Sequence, residues 1–142
     1  LTQLLATELE IRRTKFDQAR VTLNSVVQAT DVDASIRARA QWLIGETYYL
    51  QQKFADAIDA YRQVEAIAGP ELPAERWISA ALVQAGKSFE QLGRTREAAL
   101  CYGNLLERFP DSAHARLAGQ RMAVIEPQRR GDAPNSSQTI RR

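Results

Sequence analysis

One cysteine, one histidine and one methionine stand in 142 residues, and these scarcities remove whole classes of chemistry. Cys101 alone excludes an intramolecular disulfide and any zinc site built from cysteines. His114 has no second histidine or nearby cysteine to share a metal, so it reads as an exposed or capping side chain. No apolar run reaches about 18 residues, the length that spans a bilayer. There is no Gly-rich phosphate loop, nucleophile elbow or zinc signature. Cys101, beside Tyr102, fits a small packed hydrophobe better than a nucleophile. The expectation is a non-catalytic chain without cofactor or metal.

An excess of charge is also missing. The 19 Lys and Arg face 17 Asp and Glu, and through Ile125 the count is 15 against 15. The surplus lies in the last segment, where Arg129, Arg130, Arg141 and Arg142 stand against Glu126 and Asp132. A neutral body lacks the basic face of a nucleic-acid-binding domain, and two separated arginine pairs are few for nucleic acid or an anionic membrane. No nucleic-acid partner is therefore expected. One cysteine suits cytosol and periplasm alike, so the residues leave the compartment open. The chain starts at Leu1 in a helical pattern with no signal peptide, as expected of a piece excised from a longer protein.

What is present is a repeat. Ile44-Gly45-Glu46-Thr47-Tyr48 precedes Phe54, Ala57, Tyr61 and Val64, and Ala85-Gly86-Lys87-Ser88-Phe89 precedes Ala98, Tyr102 and Leu105. Gly45 to Gly86, Ala57 to Ala98 and Tyr61 to Tyr102 are each 41 residues apart. A weaker echo at 38 relates Ala19, Leu23 and Val26 to Ala57, Tyr61 and Val64. Fixed long periods of small and aromatic residues mark stacked repeats. Glycine inside a helix costs roughly 0.5–1 kcal/mol against alanine, so its recurrence predicts close packing at a helix crossing. Gly45 and Gly86 are expected there with Ala57 and Ala98, while Tyr48, Phe89, Tyr61 and Tyr102 fill the space between hairpins.

The spacing predicts helix almost throughout residues 1–125, with no period-2 strand. Leu4, Leu5, Leu9 and Ile11 give a first stripe, and a second helix opens at Lys15-Phe16. Asp31, Asp33 or Ser35 offers an N-cap for a third, running to about Gln51. A fourth ends near Gly69-Pro70, and a fifth begins at Glu71-Leu72-Pro73. Gly93 is expected in a left-handed turn, a sixth helix stops at Phe109-Pro110, and Asp111 or Ser112 caps a seventh. Residues 127–142 read as a basic polar tail or linker, because their composition buries too little surface to order itself.

Leu82-x-x-Ala85-Gly86-x-x-Phe89, Gly93, Ala98, Tyr102, Leu105 and Pro110 resemble the tetratricopeptide repeat signature, and Ile44-Gly45-x-x-Tyr48, Phe54, Ala57 and Tyr61 match it too. Departures are Gln41 in the usual aromatic place with Trp42 one place later, Thr95 for an aromatic, and Thr7 for the first glycine. Some seven extra residues lie around Gly69 to Arg76. The resemblance implies an all-α, right-handed superhelix of about three hairpins (residues 1–30, 33–70 and 72–110) and a capping helix (112–126), together one domain over 1–126. Trp42 to Tyr49 and Glu107 to Ala113 are also similar to bacterial cell-envelope members of the superfamily, among them the periplasmic Tol-Pal-associated division coordinator and the outer-membrane assembly lipoprotein.

By the same resemblance, a partner protein or peptide meets the concave groove at Arg39, Trp42, Glu46, Tyr49, Val83, Lys87, Glu90, Arg116 and Gln120. Trp42 and Tyr49 as plain core, and the charges as a solvated face, are the competing reading. Chaperone-binding members grip a terminal carboxylate with Lys, Asn and Arg. Trp42, Glu46, Val83, Lys87 and Arg116 fill those places here, without an asparagine pair, so that clamp is not expected. Self-association through the irregular first hairpin or the unfinished ends, and a helical regulatory domain of a larger envelope enzyme, are the alternatives.

Overall fold

Three helices start from one backbone conformation. Lys15, Lys53 and Arg94 precede them with φ/ψ of −94/59, −92/71 and −96/72. Two sequence periods, 38 and 41, thus converge on one local geometry. The computed structural model describes residues 15–69 and 75–132. Its helices are α1 (Phe16–Gln28), α2 (Ala34–Leu50), α3 (Phe54–Ala68), α4 (Glu75–Gln91), α5 (Thr95–Arg108) and α6 (Ala115–Asp132), with no strand among the described residues. The expected first helix, with Leu4, Leu5, Leu9 and Ile11, lies outside the described residues, as does the expected start at Pro73.

Each helix packs on the next, giving the hairpins α2–α3 and α4–α5, with α1 before them and α6 after. In addition α2 packs on α4 and α4 on α6 with their backbones close, while α3 and α5 stand farther apart and are joined by the Arg108–Glu65 ion pair. One helix of each hairpin therefore lies on the tight inner side of the curve and the other on the spread outer side. The fold is all-α, a right-handed superhelix of stacked hairpins.

Equivalent positions do equivalent work. Ala19, Ala57 and Ala98 are all 0% exposed, where the paired helices cross. Four residues on, Leu23, Tyr61 and Tyr102 are buried, and Val26, Val64 and Leu105 follow. The buried residues fall into three clusters along the stack, so the core is continuous but built junction by junction.

The glycines have a more specific role than a helix crossing. A Cβ built on Gly45 would stand 2.3 Å from Cε1 of Tyr61, and one on Gly86 would stand 2.4 Å from Cε1 of Tyr102. Each glycine is a notch that receives the tyrosine ring of its own hairpin's second helix. Tyr61 and Tyr102 thus fill space inside their hairpins, and not only between hairpins as expected.

The turns repeat too. Gly93 takes the expected left-handed conformation with φ 74, and Gln52, 41 residues earlier, takes it with φ 61. Lys53 N–H donates to the Tyr48 carbonyl and Arg94 N–H to the Phe89 carbonyl, each at 2.9 Å, closing the helix ends alike. At the start of α2, Asp33 holds the N-cap position without a side-chain hydrogen bond. Ser112 Oγ accepts the His114 N–H at 3.0 Å, closing the turn that leads into α6 rather than capping an N–H of the helix itself. α6 runs through Pro127 to Asp132, six residues past the end expected at 126. Proline removes one N–H from the ladder but leaves the bonds on either side intact, so here it does not end the helix.

Candidate functional site

α2, α4 and α6 present the inner face. At one end Trp42 of α2 meets Trp77 in the first turn of α4, with ring centroids 5.6 Å apart and planes at 47°. The guanidinium carbons of Arg39 and Arg76 lie 5.7 and 5.0 Å from the Trp77 centroid. Trp42 is partly buried, and its Nε1–H is fully covered without an acceptor among the described residues. Gln41, in the place of the usual aromatic, is buried and donates from Nε2 to the Ala60 carbonyl at 3.0 Å, tying α2 to α3.

The middle of the face is a carboxylate held from two sides. Glu46 accepts from the Tyr61 hydroxyl at 2.7 Å and from Gln84 Nε2 at 2.6 Å. Burial raises the Glu46 carboxyl above the usual carboxylate value of 4.5, and the two hydrogen bonds and nearby Lys87 offset it only in part. Burial and the facing Glu46 carboxylate push the Tyr61 hydroxyl far up, so it stays a proton donor.

The next repeat moves this arrangement by one helical turn. Lys87 takes the register position of Glu46, and Glu90 that of Tyr49. Glu90 accepts from the Tyr102 hydroxyl and, through both oxygens, from the Arg121 guanidinium of α6. Burial raises its pKa, but the Arg121 and Tyr102 bonds and the arginine charge outweigh burial and hold it below 4.5. Lys87 Nζ stands 5.4 Å from the Tyr49 ring centroid, and that ring packs edge-on against Phe54 at 5.4 Å. In both repeats a notch tyrosine donates to a carboxylate on its own hairpin, and the next hairpin or helix adds a second donor.

Of the residues expected on the groove, Arg39 and Trp42 join one corner, and Glu46, Tyr49, Lys87 and Glu90 form one aromatic and charged cluster. Arg116 and Gln120 are exposed on α6. Val83 is 3% exposed and packs in the last core cluster, so it is removed from the contact surface. The reason is size: valine stands in the register of Trp42 and is too short to emerge.

Sequence reasoning passed over Trp77, Gln84, Arg121 and Arg20. Gln84 had a signal, since the 41-residue register puts it at Leu43, a core position. Arg20 had one as well, standing 38 residues before buried Ile58. It donates to Thr47 Oγ1 at 2.9 Å and Gln51 Oε1 at 2.8 Å and covers the Tyr48 ring at 4.1 Å, bracing α1 on α2. Arg121 and Trp77 had no such signal, because no repeat echo marks them.

A second concavity of about 270 Å³ lies on the outer side, between α3 and α5 over α4, with Arg62, Leu82, Leu100 and Cys101 in its walls. Burial pushes the Cys101 thiol up to about 11, which leaves it protonated and unreactive at neutral pH. Among the described residues, no group of three or more His, Cys, Asp and Glu could hold a metal ion, and no helix is long and apolar enough to cross a membrane.

Residues 8–73 match one tetratricopeptide repeat family model and residues 80–112 match another. None of the curated proteins matches the chain. The two matches cover the hairpins and their Gly–Tyr notches, and the chain belongs to the tetratricopeptide repeat superfamily, whose repeats mediate protein–protein interaction and scaffolding.

Proposed function

We propose that this chain is a non-catalytic interaction module whose inner face, on α2, α4 and α6, takes a segment of a partner protein. The observation that carries the reading is the close backbone approach of α2 to α4 and of α4 to α6, which α1, α3 and α5 do not share. In this reading Arg39, Trp42, Tyr49, Lys87, Arg116 and Gln120 share that surface. The internally bonded Glu46 and Glu90 fix that surface from behind rather than reach out from it. Preorganised aromatic and cationic groups on rigid helices suit recognition, because little side-chain freedom is left to lose on binding. Residues 1–126 form the binding domain in this reading, with α6 running on to Asp132.

Capture of partners from a cell extract with the wild-type chain and with Arg39→Glu/Lys87→Glu tests the reading. Loss of the captured proteins in the double variant, with its melting temperature retained, is the expected result. An unchanged set of partners would sink the groove. Light scattering on the same samples tests the alternative of a self-assembling scaffold, which predicts a mass that grows with concentration. An envelope setting rests only on the similarity of Trp42 to Tyr49 and Glu107 to Ala113, and cell fractionation checks it.

A further inference from the structure

Gly103 is a helical glycine that the fold of one chain does not need. A Cβ built there meets nothing within 4 Å, whereas one built on Gly45 or Gly86 runs into a tyrosine ring. Glycine weakens a helix interior, so one without a notch to serve fits a close approach from outside the fold. Gly119 in α6 also faces open space, but the same spacings there give Ser112, Arg116 and Ala123, with no large apolar group.

Around Gly103 the outward face of α5 carries a stripe at spacings of four, three and four: Arg96, Leu100, Gly103 and Glu107. That spacing aligns side chains along one side of a helix, the seam through which helices pair. Leu100 is 72% exposed, and Arg96 and Glu107 are exposed. Neither charge makes an ion pair among the described residues. The charges beside them are matched: Arg94 with Glu97, and Arg108 with Glu65, while Asn104 accepts from Arg108 at 3.3 Å. Exposed Asp59 and Arg62 on α3 add one charge of each sign. The equivalent stripe of α3, Ala55, Asp59, Arg62 and Ala66, lacks a large apolar residue, so this seam is particular to α5. Reversed, the α5 stripe is its own complement. Antiparallel to a copy, Arg96 stands opposite Glu107 and Leu100 opposite Gly103, and a two-fold axis repeats both pairs.

We propose that two copies of this chain associate through the outward face of α5, helix antiparallel to helix. Leu100 sits over the copy's Gly103, where no side chain obstructs it, and Arg96 pairs with the copy's Glu107. The partner for this face is thus a second copy, chosen by charge and shape together. A single helix pair buries less than the roughly 1,600 Å² of a standard stable interface, so the association is weak. Both inner faces stay open, and the dimer carries two of them.

Sedimentation equilibrium of the full chain from about 1 μM to 1 mM tests the proposal. The mass should rise toward, and not beyond, twice 15.9 kDa. Arg96→Glu and Glu107→Arg, each at an exposed position, should keep the melting temperature and weaken dimerisation about tenfold or more, since each sets like charges opposite one another twice. Arg96→Glu/Glu107→Arg together should recover the dimer, because the signs exchange and the pairs remain. Gly103→Ala should weaken the dimer while raising the melting temperature of the dilute monomer. A chain that stays monomeric throughout overturns the proposal and leaves the stripe to another protein. A mass that keeps growing also overturns it, as the mark of an open scaffold joined elsewhere. So do single variants, Gly103→Ala included, that dimerise like the wild type, or a double variant that does not recover. Dimerisation lost in Arg39→Glu/Lys87→Glu would place the contact on the inner face and overturn it as well.

Discussion

Gly86 is the residue on which the packing of the third hairpin turns. Alanine is the better helix former by about 1 kcal/mol. Its Cβ, however, would stand 2.4 Å from Tyr102 Cε1, so the ring must leave the notch and its hydroxyl must leave Glu90. Gly86→Ala should therefore lower stability by about 1–3 kcal/mol net in a urea melt, and a neutral result would contradict the notch. Ala98, 0% exposed where α4 and α5 meet, should respond to Ala98→Leu by overpacking of similar size. The opposite sign is expected at Gln52, whose φ of 61 is a conformation that glycine adopts freely. Gln52→Gly should raise stability by about 0.5–1 kcal/mol, the relief of left-handed strain exceeding the entropy that glycine adds to the unfolded chain. A lower midpoint in the same melt would contradict this.

At the scale of the helix pair, two carboxylates tie hairpins together with opposite responses to pH. Glu90 has a folded pKa below 4.5, so its contribution is full above 4.5 and is lost as pH falls through the folded value. Glu46 has a folded pKa above 4.5, so the folded state holds the proton longer than the unfolded chain. Stability then falls as pH rises from 4.5 through the folded Glu46 value and is level beyond it. Glu46→Gln should flatten that decline while leaving the acid-side loss, and Glu90→Gln should do the reverse. Stability measured at a series of pH values in both variants distinguishes the two. The Glu90–Arg121 pair also holds α6 on α4. Arg121→Ala should speed amide exchange in α6 with little change in α2 and α3, whereas uniform exchange would mean that the pair does not act locally.

The helices and their partners were legible because the alanines, the notch glycines and the tyrosines recur at fixed spacing. Even the degenerate echo at 38 announced a start at Phe16, where Lys15 takes the same backbone conformation as Lys53. What could not be read was which repeated residue touches which. Glycine and tyrosine both recur, but the notch exists only once α2 and α3 are antiparallel. The bond from Gln84 to Glu46 spans 38 residues and two hairpins, and its one trace is a glutamine at a leucine's core register. The run of α6 past Pro127 was hidden by a rule about proline that is a preference and not a barrier.

For the whole molecule, curvature follows from the difference between the two helix classes. The inner helices approach one another closely in series, whereas α3 and α5 stand apart across a cleft and are joined by the Arg108–Glu65 ion pair, so one surface is tighter than the other. The inner side carries the Trp42–Trp77 and Tyr49–Lys87 contacts, and the outer side keeps the cleft beside Cys101 and the strongly exposed Leu100. A captured partner segment, titrated into the labelled chain and followed by amide chemical shifts, tests the central claim most directly. Shifts grouped on α2, α4 and α6, largest near Trp42, Trp77 and Lys87, are predicted; shifts grouped on α1, α3 and α5, or confined to the ends of the stack, would contradict the account.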